Sequence, residues 1–539
     1  GLETQWRCQL TDSMYFLPLG GSNEIGMNLN LFGYGPEENR KWIIVDCGVT
    51  FGDLSTPGVD LIMPDPEFIA ERRGDLVGMV LTHAHEDHMG AVAHLWRKLR
   101  CPIWATPFTA WLVRDRLREH GLLDAVTLHE VGLDSRFNVG PFDCQMITLT
   151  HSIPEPNGLA IRTPAGLVLH TGDWKIDPDP LIGEATDIKA ITALGEEGVL
   201  AMICDSTNVF SEGESGSEAD VRDELIKVVG EHKGRVAIAA FASNVARLQS
   251  AIEAAEANGR RVCLVGRSMH RMTAAAKAVG MLSHVQDFVS EEEAVTYQKN
   301  RILYLCTGSQ GEERAALSRI NEVGIFELQN QLAEKGVEII TERDRPIHVS
   351  GHPCRGELAQ MYAWAKPSVA IPVHGERRHL LEHAAYARQL QVPHSVSVRN
   401  GDMVEIRSDG TASIIDEAPA RRLHLDGKFL TPSDATSMRE RRRLASAGYI
   451  VVALAVDAKG RLISGPDIKQ AGLAESADFS IDDFLDALET SAEACFEKLH
   501  PRVKKDEDQV EEEIRRAVRR TASGIWGKKP MVDVMVLAV

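Results

Sequence analysis

Leu76-Val77-Gly78-Met79-Val80-Leu81-Thr82-His83-Ala84-His85-Glu86-Asp87-His88-Met89-Gly90 is the stretch on which the fold turns. Its first half is apolar and rich in β-branched residues, so it reads as a buried strand. The run then breaks at Thr82 into His83, His85, Asp87 and His88, a polar cluster that reads as the loop leaving the strand. Imidazole and carboxylate are the ligands that zinc and other borderline divalent ions accept. Four such side chains within six positions therefore predict a metal site. The spacing does not suit one helix face, and the preceding strand is the wrong context for a helical His-Glu-x-x-His site.

The same local arrangement recurs along the chain. A strand over 142–150 leads to His151, one over 166–169 leads to His170-Thr171-Gly172-Asp173, and one over 199–203 leads to Cys204-Asp205. Later, 347–352 (Ile-His-Val-Ser-Gly-His) and 368–373 followed by His374-Gly375-Glu376 repeat it. In each case a buried strand is expected to deliver an acid or an imidazole just past its C-terminal end, the edge where open α/β sheets build their sites. Repeated placement of this kind predicts one shared site.

Between Asp205 and Ile347 the composition changes. A Gly/Ser-rich stretch at 211–219 reads as a linker. Helical patterns at 221–231, 245–258 and 269–279 then alternate with strand patterns at 235–241, 262–265 and 302–306. That is a self-contained α/β unit with a parallel sheet. It lies between two candidates for the same site, Asp205 and His374, so it reads as an insertion. A loop is expected at 423–432, followed by a small α+β domain with a hairpin at 449–464, helices at 481–499 and 506–520, and a terminal strand at 531–539. Arg515, Arg516, Arg519 and Arg520 follow Glu511-Glu512-Glu513 at helical spacing, the pattern of a solvated helix face. The expected division is 15–207 (first part of the main domain), 208–346 (inserted), 347–436 (second part) and 437–539 (C-terminal); the fold class is α/β.

Composition narrows the function. At 539 residues the chain is too long for one core. A net charge of −19 argues against indiscriminate nucleic-acid binding, though a metal site can capture phosphate inside an acidic molecule. No apolar stretch approaches the roughly 20 residues of a membrane helix, and no signal-peptide pattern opens the chain. Nine scattered cysteines, with Cys47, Cys144, Cys204 and Cys306 inside apolar runs, read as buried free thiols in a reducing cytoplasm. Residues 1–14 read as a tag remnant or a disordered arm.

The candidates group naturally around two ions, His83, His85, His151 and Asp173 about one and Asp87, His88, Asp173 and His374 about the other. Two divalent ions about 3.5–4 Å apart can orient and activate a water and neutralise charge on a transferring phosphoryl group. Hydrolysis is the expected reaction class. His352, outside both sets, is the candidate general acid. His348, Val349, Ser350 and Gly351 are candidates to hold a phosphate. Asp46 and Asp205 are expected to orient ligands or His352, alongside Asp87 in the catalytic group.

These motifs, in this order and with an inserted α/β unit, resemble the β-CASP branch of the metallo-β-lactamase superfamily. Further phrases resemble the bacterial ribonuclease J family: Leu17-Pro18-Leu19-Gly20-Gly21-Ser22-Asn23-Glu24-Ile25-Gly26-Met27-Asn28, Thr150-His151-Ser152-Ile153-Pro154, Phe241-Ala242-Ser243-Asn244, Thr307-Gly308-Ser309-Gln310-Gly311-Glu312 and Lys529-Pro530-Met531. The resemblance implies an αββα sandwich with an inserted β-CASP domain and a small C-terminal domain. It implies a 5′-to-3′ exoribonuclease that prefers single-stranded RNA with a 5′-monophosphate, with endonuclease activity besides, in mRNA decay and rRNA maturation. Two Zn2+ per subunit follow, with Mn2+ or Mg2+ as further ions that support activity. The resemblance also implies a cytoplasmic homodimer or homotetramer that meets RNA-decay proteins and no membrane. Ser243 and Asn244 join the implied phosphate contacts. Where the family pattern places His after Asn-Val, this chain has Ala246. A DNA nuclease of the same superfamily is the alternative, separated only by contact with the RNA 2′-OH.

Overall fold

The computed structural model describes residues 12–307, 318–476 and 478–539. Most of the expected N-terminal arm, residues 1–11, and residues 308–312 of the Thr307-to-Glu312 phrase lie outside the described residues. The chain divides into two compact units, Gly1–Phe51 with Leu61–Leu423, and Gly52–Asp60 with His424–Val539.

The first unit is a mixed α/β sandwich. One eight-stranded sheet runs Ala412–Glu417, Asp402–Arg407, Ser13–Gly20, Leu29–Tyr34, Lys41–Cys47, Leu76–Val80, Ile103–Ala105 and Leu128–Glu130. A seven-stranded sheet runs Arg136–Val139, Phe142–Thr148, Asn157–Thr163, Gly166–His170, Val199–Asp205, Val369–Val373 and His394–Ser395. The period of two explains their stacking. Leu159, Ile161, Val168, Ala201, Ile203, Val369 and Ile371 face Phe16, Phe32, Ile43, Val45 and Val80 of the other sheet in one core. The alternate residues Ala160, Leu167, Leu169, Met202, Cys204 and Ala370 pack outward with Ile191, Leu194, Leu358, Met361 and Ala387 of the covering helices. Strands buried on both faces read as continuous apolar runs, which is why they were legible. Each fully buried aliphatic side chain here contributes about 1.5–3 kcal/mol.

Val199–Asp205 and Val369–Val373 are parallel neighbours, with Ala201 opposite Val369 and Asp205 opposite Val373. The chain between them forms the inserted layer, a parallel sheet in the order Val236–Ala239, Ile302–Cys306, Arg261–Val265, with helices Glu218–Glu231, Val245–Ala257 and Arg267–Ala278. The second unit pairs Tyr449–Val456 antiparallel to Leu462–Ala471 and parallel to Met531–Ala538. One face of that sheet closes on helices Ile481–Lys498 and Glu507–Trp526.

Four expectations are corrected. The segment 347–350 is not a strand: Pro346 before it and Pro353 after it supply no backbone N–H, and its polar side chains are held by loops instead. Within 423–432, expected as loop, Arg422–Asp426 and Phe429–Pro432 are strands flanking the Gly427 turn. The polar cluster after Leu76–Val80 is not all loop, because Glu86–Met89 forms a helical turn that carries Asp87 and His88. Cys306 is half-buried, whereas Cys47, Cys144 and Cys204 are buried; the eight cysteines of the described residues are free. Burial raises the Cys47, Cys144 and Cys204 thiols well above their ordinary range.

The helical turn rests on Gly48. A Cβ there would meet the Asp87 carbonyl oxygen at 1.6 Å and the His88 nitrogen at 2.6 Å, both backbone. Gly48→Ala is therefore expected to displace Asp87 and His88, at a cost of about 1–3 kcal/mol or more. A lowered unfolding temperature together with reduced bound metal would show it; an unchanged protein would mean that the backbone yields at no cost.

Candidate metal centre and catalytic site

Strands of both sheets deliver the candidate residues to one edge of the sandwich. His83, His85 and the Asp87/His88 turn follow Leu76–Val80; His151, Asp173 and His374 follow Phe142–Thr148, Gly166–His170 and Val369–Val373. Asp205 ends its own strand.

Two donor groups form, His83, His85, His151 and Asp173, and Asp87, His88, Asp173 and His374. In the first, His85 Nδ1 lies 3.1 Å from both His83 Nε2 and His151 Nε2. Asp173 Oδ2 is 3.9 Å from each of those Nε2 atoms. In the second, Asp173 Oδ2 is 3.0 Å from His88 Nε2 and 3.5 Å from His374 Nε2, which is 3.1 Å from Asp87 Oδ2. Donors around a tetrahedral ion at 2.0–2.2 Å stand about 3.3–3.6 Å apart. The separations bracket that distance.

Proton accounting supports the same conclusion. The Thr82 hydroxyl donates to Asp46 Oδ2 at 2.7 Å, so its oxygen accepts from His83 Nδ1 at 2.9 Å. Asp46 Oδ2 also accepts from His88 Nδ1 at 2.7 Å. The Gly351 carbonyl accepts from His151 Nδ1. Thr207 donates to Asp205 Oδ1 at 2.8 Å and accepts from His374 Nδ1 at 2.9 Å. With all four Nδ1 atoms donating, all four Nε2 atoms face the site, as ligands require; burial would lower His88 and His374, but Asp173 overrides it and raises both, so these two rings must shed the Nε2 proton to bind an ion. Burial, reinforced by neighbouring imidazoles, holds His83 and His151 neutral, and burial pushes His85 down to about 4. Burial alone would raise Asp173, but His374 and His88 outweigh it and hold the carboxyl well below the ordinary range. The residues fit a pair of divalent ions that share Asp173.

The remaining candidates surround this centre. Asp46 is fully buried, in a left-handed conformation at φ 67°, and touches Thr82 and His88 rather than the space between the donors. His352 Nδ1 donates to Asp205 Oδ2 at 2.7 Å. Its ring is stacked on His374, with centroids 5.5 Å apart, and edge-on to His151 at 5.0 Å. Burial would lower the His352 imidazole; Asp205 overcomes it and raises the pKa. His352 also completes a third donor group with Asp173, Asp205 and His374, a grouping absent from the sequence reading.

Ser350 Oγ accepts from Asn208 Nδ2 at 2.7 Å, which leaves its own proton to donate. A Cβ on Gly351 would come within 2.9 Å of the His151 ring, so only glycine allows this approach. Val349 packs over Gly216. His348 lies near Arg247 and Glu218, and burial lowers its pKa. Asn244 is committed internally: it caps helix Val245–Ala257 through Arg247 N at 2.9 Å and donates to Glu218 Oε1 at 3.1 Å. Ser243 precedes it, half-buried.

Several residues escape the sequence reading. Thr82, Thr207 and Asn208 support the site, and their only signal is adjacency to His83 and Asp205. His383 accepts from Tyr362 Oη at 2.8 Å and donates to Ser206 Oγ at 2.8 Å, all three buried. It thereby ties together the segments that carry His352, His374 and Asp205. Nothing local distinguishes His383 from an ordinary core histidine.

Four family models match: a beta-lactamase superfamily domain over residues 41–193, the ribonuclease J beta-CASP domain over 233–333, a Zn-dependent metallo-hydrolase RNA specificity domain over 336–397 and the ribonuclease J C-terminal domain over 436–539. The chain is 42% identical to a ribonuclease J of Sinorhizobium meliloti across 98% of each chain. It is 37% identical to a ribonuclease J of Corynebacterium glutamicum, over 96% of this chain and 75% of that one. A solved protein of unknown function from Enterococcus faecalis V583 superimposes with a TM-score of 0.50 at 16% identity, over 73% of this chain and 100% of that one, a likeness of fold alone.

Proposed function

The chain belongs to the ribonuclease J family, and from that premise we propose that it is a zinc-dependent 5′-to-3′ exoribonuclease that prefers RNA bearing a 5′-monophosphate, with secondary internal cleavage. It is a metallo-hydrolase ribonuclease with an RNA substrate. The observation that supports metal-dependent hydrolysis is the pair of donor groups sharing Asp173, with the His352–Asp205 pair beside them; the polarity and the end preference follow the family.

His83, His85, His151 and Asp173 would hold one ion, and Asp87, His88, Asp173 and His374 the other; the histidine-rich donors favour zinc. Bound ions would supply an activated water and neutralise phosphate charge. The chain's own residues supply the rest. Asp46 and Thr207 fix the tautomers of His88 and His374. Asp205 holds His352 by Nδ1 and stabilises its protonated form, so Nε2 can give a proton to the departing ribose oxygen. The Ser350 hydroxyl, Gly351 and His348 would bind a phosphate, with Ser243 at the margin. Asn244 would act there through the backbone, since its side chain is spent on Arg247 and Glu218.

The proposal extends to a cytoplasmic homodimer or homotetramer working in mRNA decay and rRNA maturation. The outward face of the C-terminal sheet supports assembly: Met535 and Leu537 on it are 52% and 53% exposed. No helix among the described residues is long and apolar enough to cross a membrane. The chain's proposed domains are 15–207 and 347–436, the two parts of the main domain, 208–346, the inserted one, and 437–539, the C-terminal one.

The test is digestion of one labelled RNA carrying a 5′-monophosphate, triphosphate or hydroxyl, with a matched DNA, in the presence and absence of chelator. Release of mononucleotides from the monophosphate form, abolished by chelator, is the expected result. Internal fragments whatever the end group would overturn the exonuclease reading, and equal cleavage of DNA would overturn the preference for RNA.

A further inference from the structure

Phe210 is the one side chain of its segment that the site leaves unused. Asp205 binds His352, Ser206 binds His383, Thr207 binds His374, Asn208 binds Ser350, and Val209 sits in the core. The Phe210 ring, by contrast, is 49% exposed. It stands edge-on to His379, centroids 5.3 Å apart, and the Arg378 guanidinium carbon lies 5.6 Å from its centroid. His379 in turn backs onto the turn beyond His374: a Cβ on Gly375 would come 2.8 Å from the His379 Cβ. One side chain therefore separates the exposed ring from Gly375. His379 is buried, and its Nδ1 has no hydrogen-bond partner among the described residues. Arg378 is 68% exposed, and among the described residues its side chain pairs with Glu376 at 3.1 Å.

We propose that Phe210 and Arg378 form a base-stacking platform for one unpaired nucleotide flanking the scissile phosphate. The proposal rests on the RNA-hydrolysing reading above. An aromatic face flanked by a guanidinium suits any unpaired base, because every base has a π-face and the cation lies near the phosphate–sugar chain. It also answers a problem of charge. With a net charge of −19, diffuse attraction to the backbone gives little hold on RNA, so contacts with bases would add to what the metal site and the phosphate contacts supply. The ligand is a single-stranded oligoribonucleotide, read without regard to sequence.

The full-length protein, in parent, Phe210→Ala and Phe210→Trp forms, would be compared on a 5′-monophosphorylated oligoribonucleotide and on versions in which one abasic nucleotide is moved through the first six positions. Phe210→Ala is expected to raise KM roughly 10-fold, the scale of one lost base–aromatic stack, while Phe210→Trp stays within about 2-fold of the parent. One abasic position is expected to cost the parent that same factor and to cost Phe210→Ala nothing further. An unchanged KM in Phe210→Ala, equal abasic penalties in both proteins, or a fall in kcat at constant KM would each overturn the platform. Chelator-treated protein titrated with the same oligonucleotides gives the Kd in parallel, so a parent that binds but does not cleave would indict the catalytic reading and leave the platform judged on its own.

Discussion

Asp173→Asn is expected to strip both donor groups of metal and to remove RNA hydrolysis. Asp173 Oδ2 lies within 4 Å of Nε2 of His83, His88, His151 and His374 alike. The residue is 2% exposed, so no solvent replaces the lost charge. An amide also offers one neutral oxygen where the carboxylate offered a charged pair, and its NH2 side, a donor only, cannot ligate a cation. Residues that merely support a ligand cost 10–100-fold in metal affinity when removed, and a shared ligand should exceed about 100-fold. Metal analysis of the purified variant is the direct measurement, with circular dichroism to verify folding. Undiminished metal content would sink the bridging role.

His352→Ala should separate metal from chemistry. The ring donates through Nδ1 to Asp205 and lies outside the two groups assigned to metal. Loss of a general acid costs about 10²–10⁴ in rate, so kcat should fall within that range while metal content holds. The loss should shrink sharply on a nucleotide p-nitrophenyl diester, whose leaving group departs without a proton. The third donor group, Asp173, Asp205, His352 and His374, gives the rival outcome. Metal lost from His352→Ala, with no rescue by the better leaving group, would make this residue a ligand and end its assignment as acid.

Much of this site was legible because its residues share one local grammar: an apolar strand that stops at an imidazole or a carboxylate. That grammar placed Asp173 and His374 in the same site although the inserted layer separates them. It failed at 347–350, where the same residue types sit in a prolyl-bounded loop without a ladder. It also missed the buried pair Glu218–Arg247, at 3.1 Å, because its partners lie 29 residues apart on helices Glu218–Glu231 and Val245–Ala257 and nothing local pairs them. Asn244 carries a related lesson. A polar residue at the start of a helix can serve a ligand or the helix, and here its side chain serves the helix and Glu218. The supporting layer of Thr82, Thr207 and His383 has no signature of its own, since only the fold decides which hydroxyl meets which imidazole.

The parallel pairing of Val199–Asp205 with Val369–Val373 also bears on how the enzyme comes into being. A ribosome delivers domains N-terminus first, and His83, His85, His151 and Asp173 all precede the inserted layer in the chain. A complete first donor group thus leaves the ribosome while His374 is still unsynthesised. The second group closes only after the inserted layer is made and the Val369–Val373 strand slots in beside its distant neighbour, a long-range step of the kind that folds slowly. Ions bound at the two proposed groups would thereby be acquired in order, and a nascent chain holding one ion would be unable to complete the second group until the strand bearing His374 has docked.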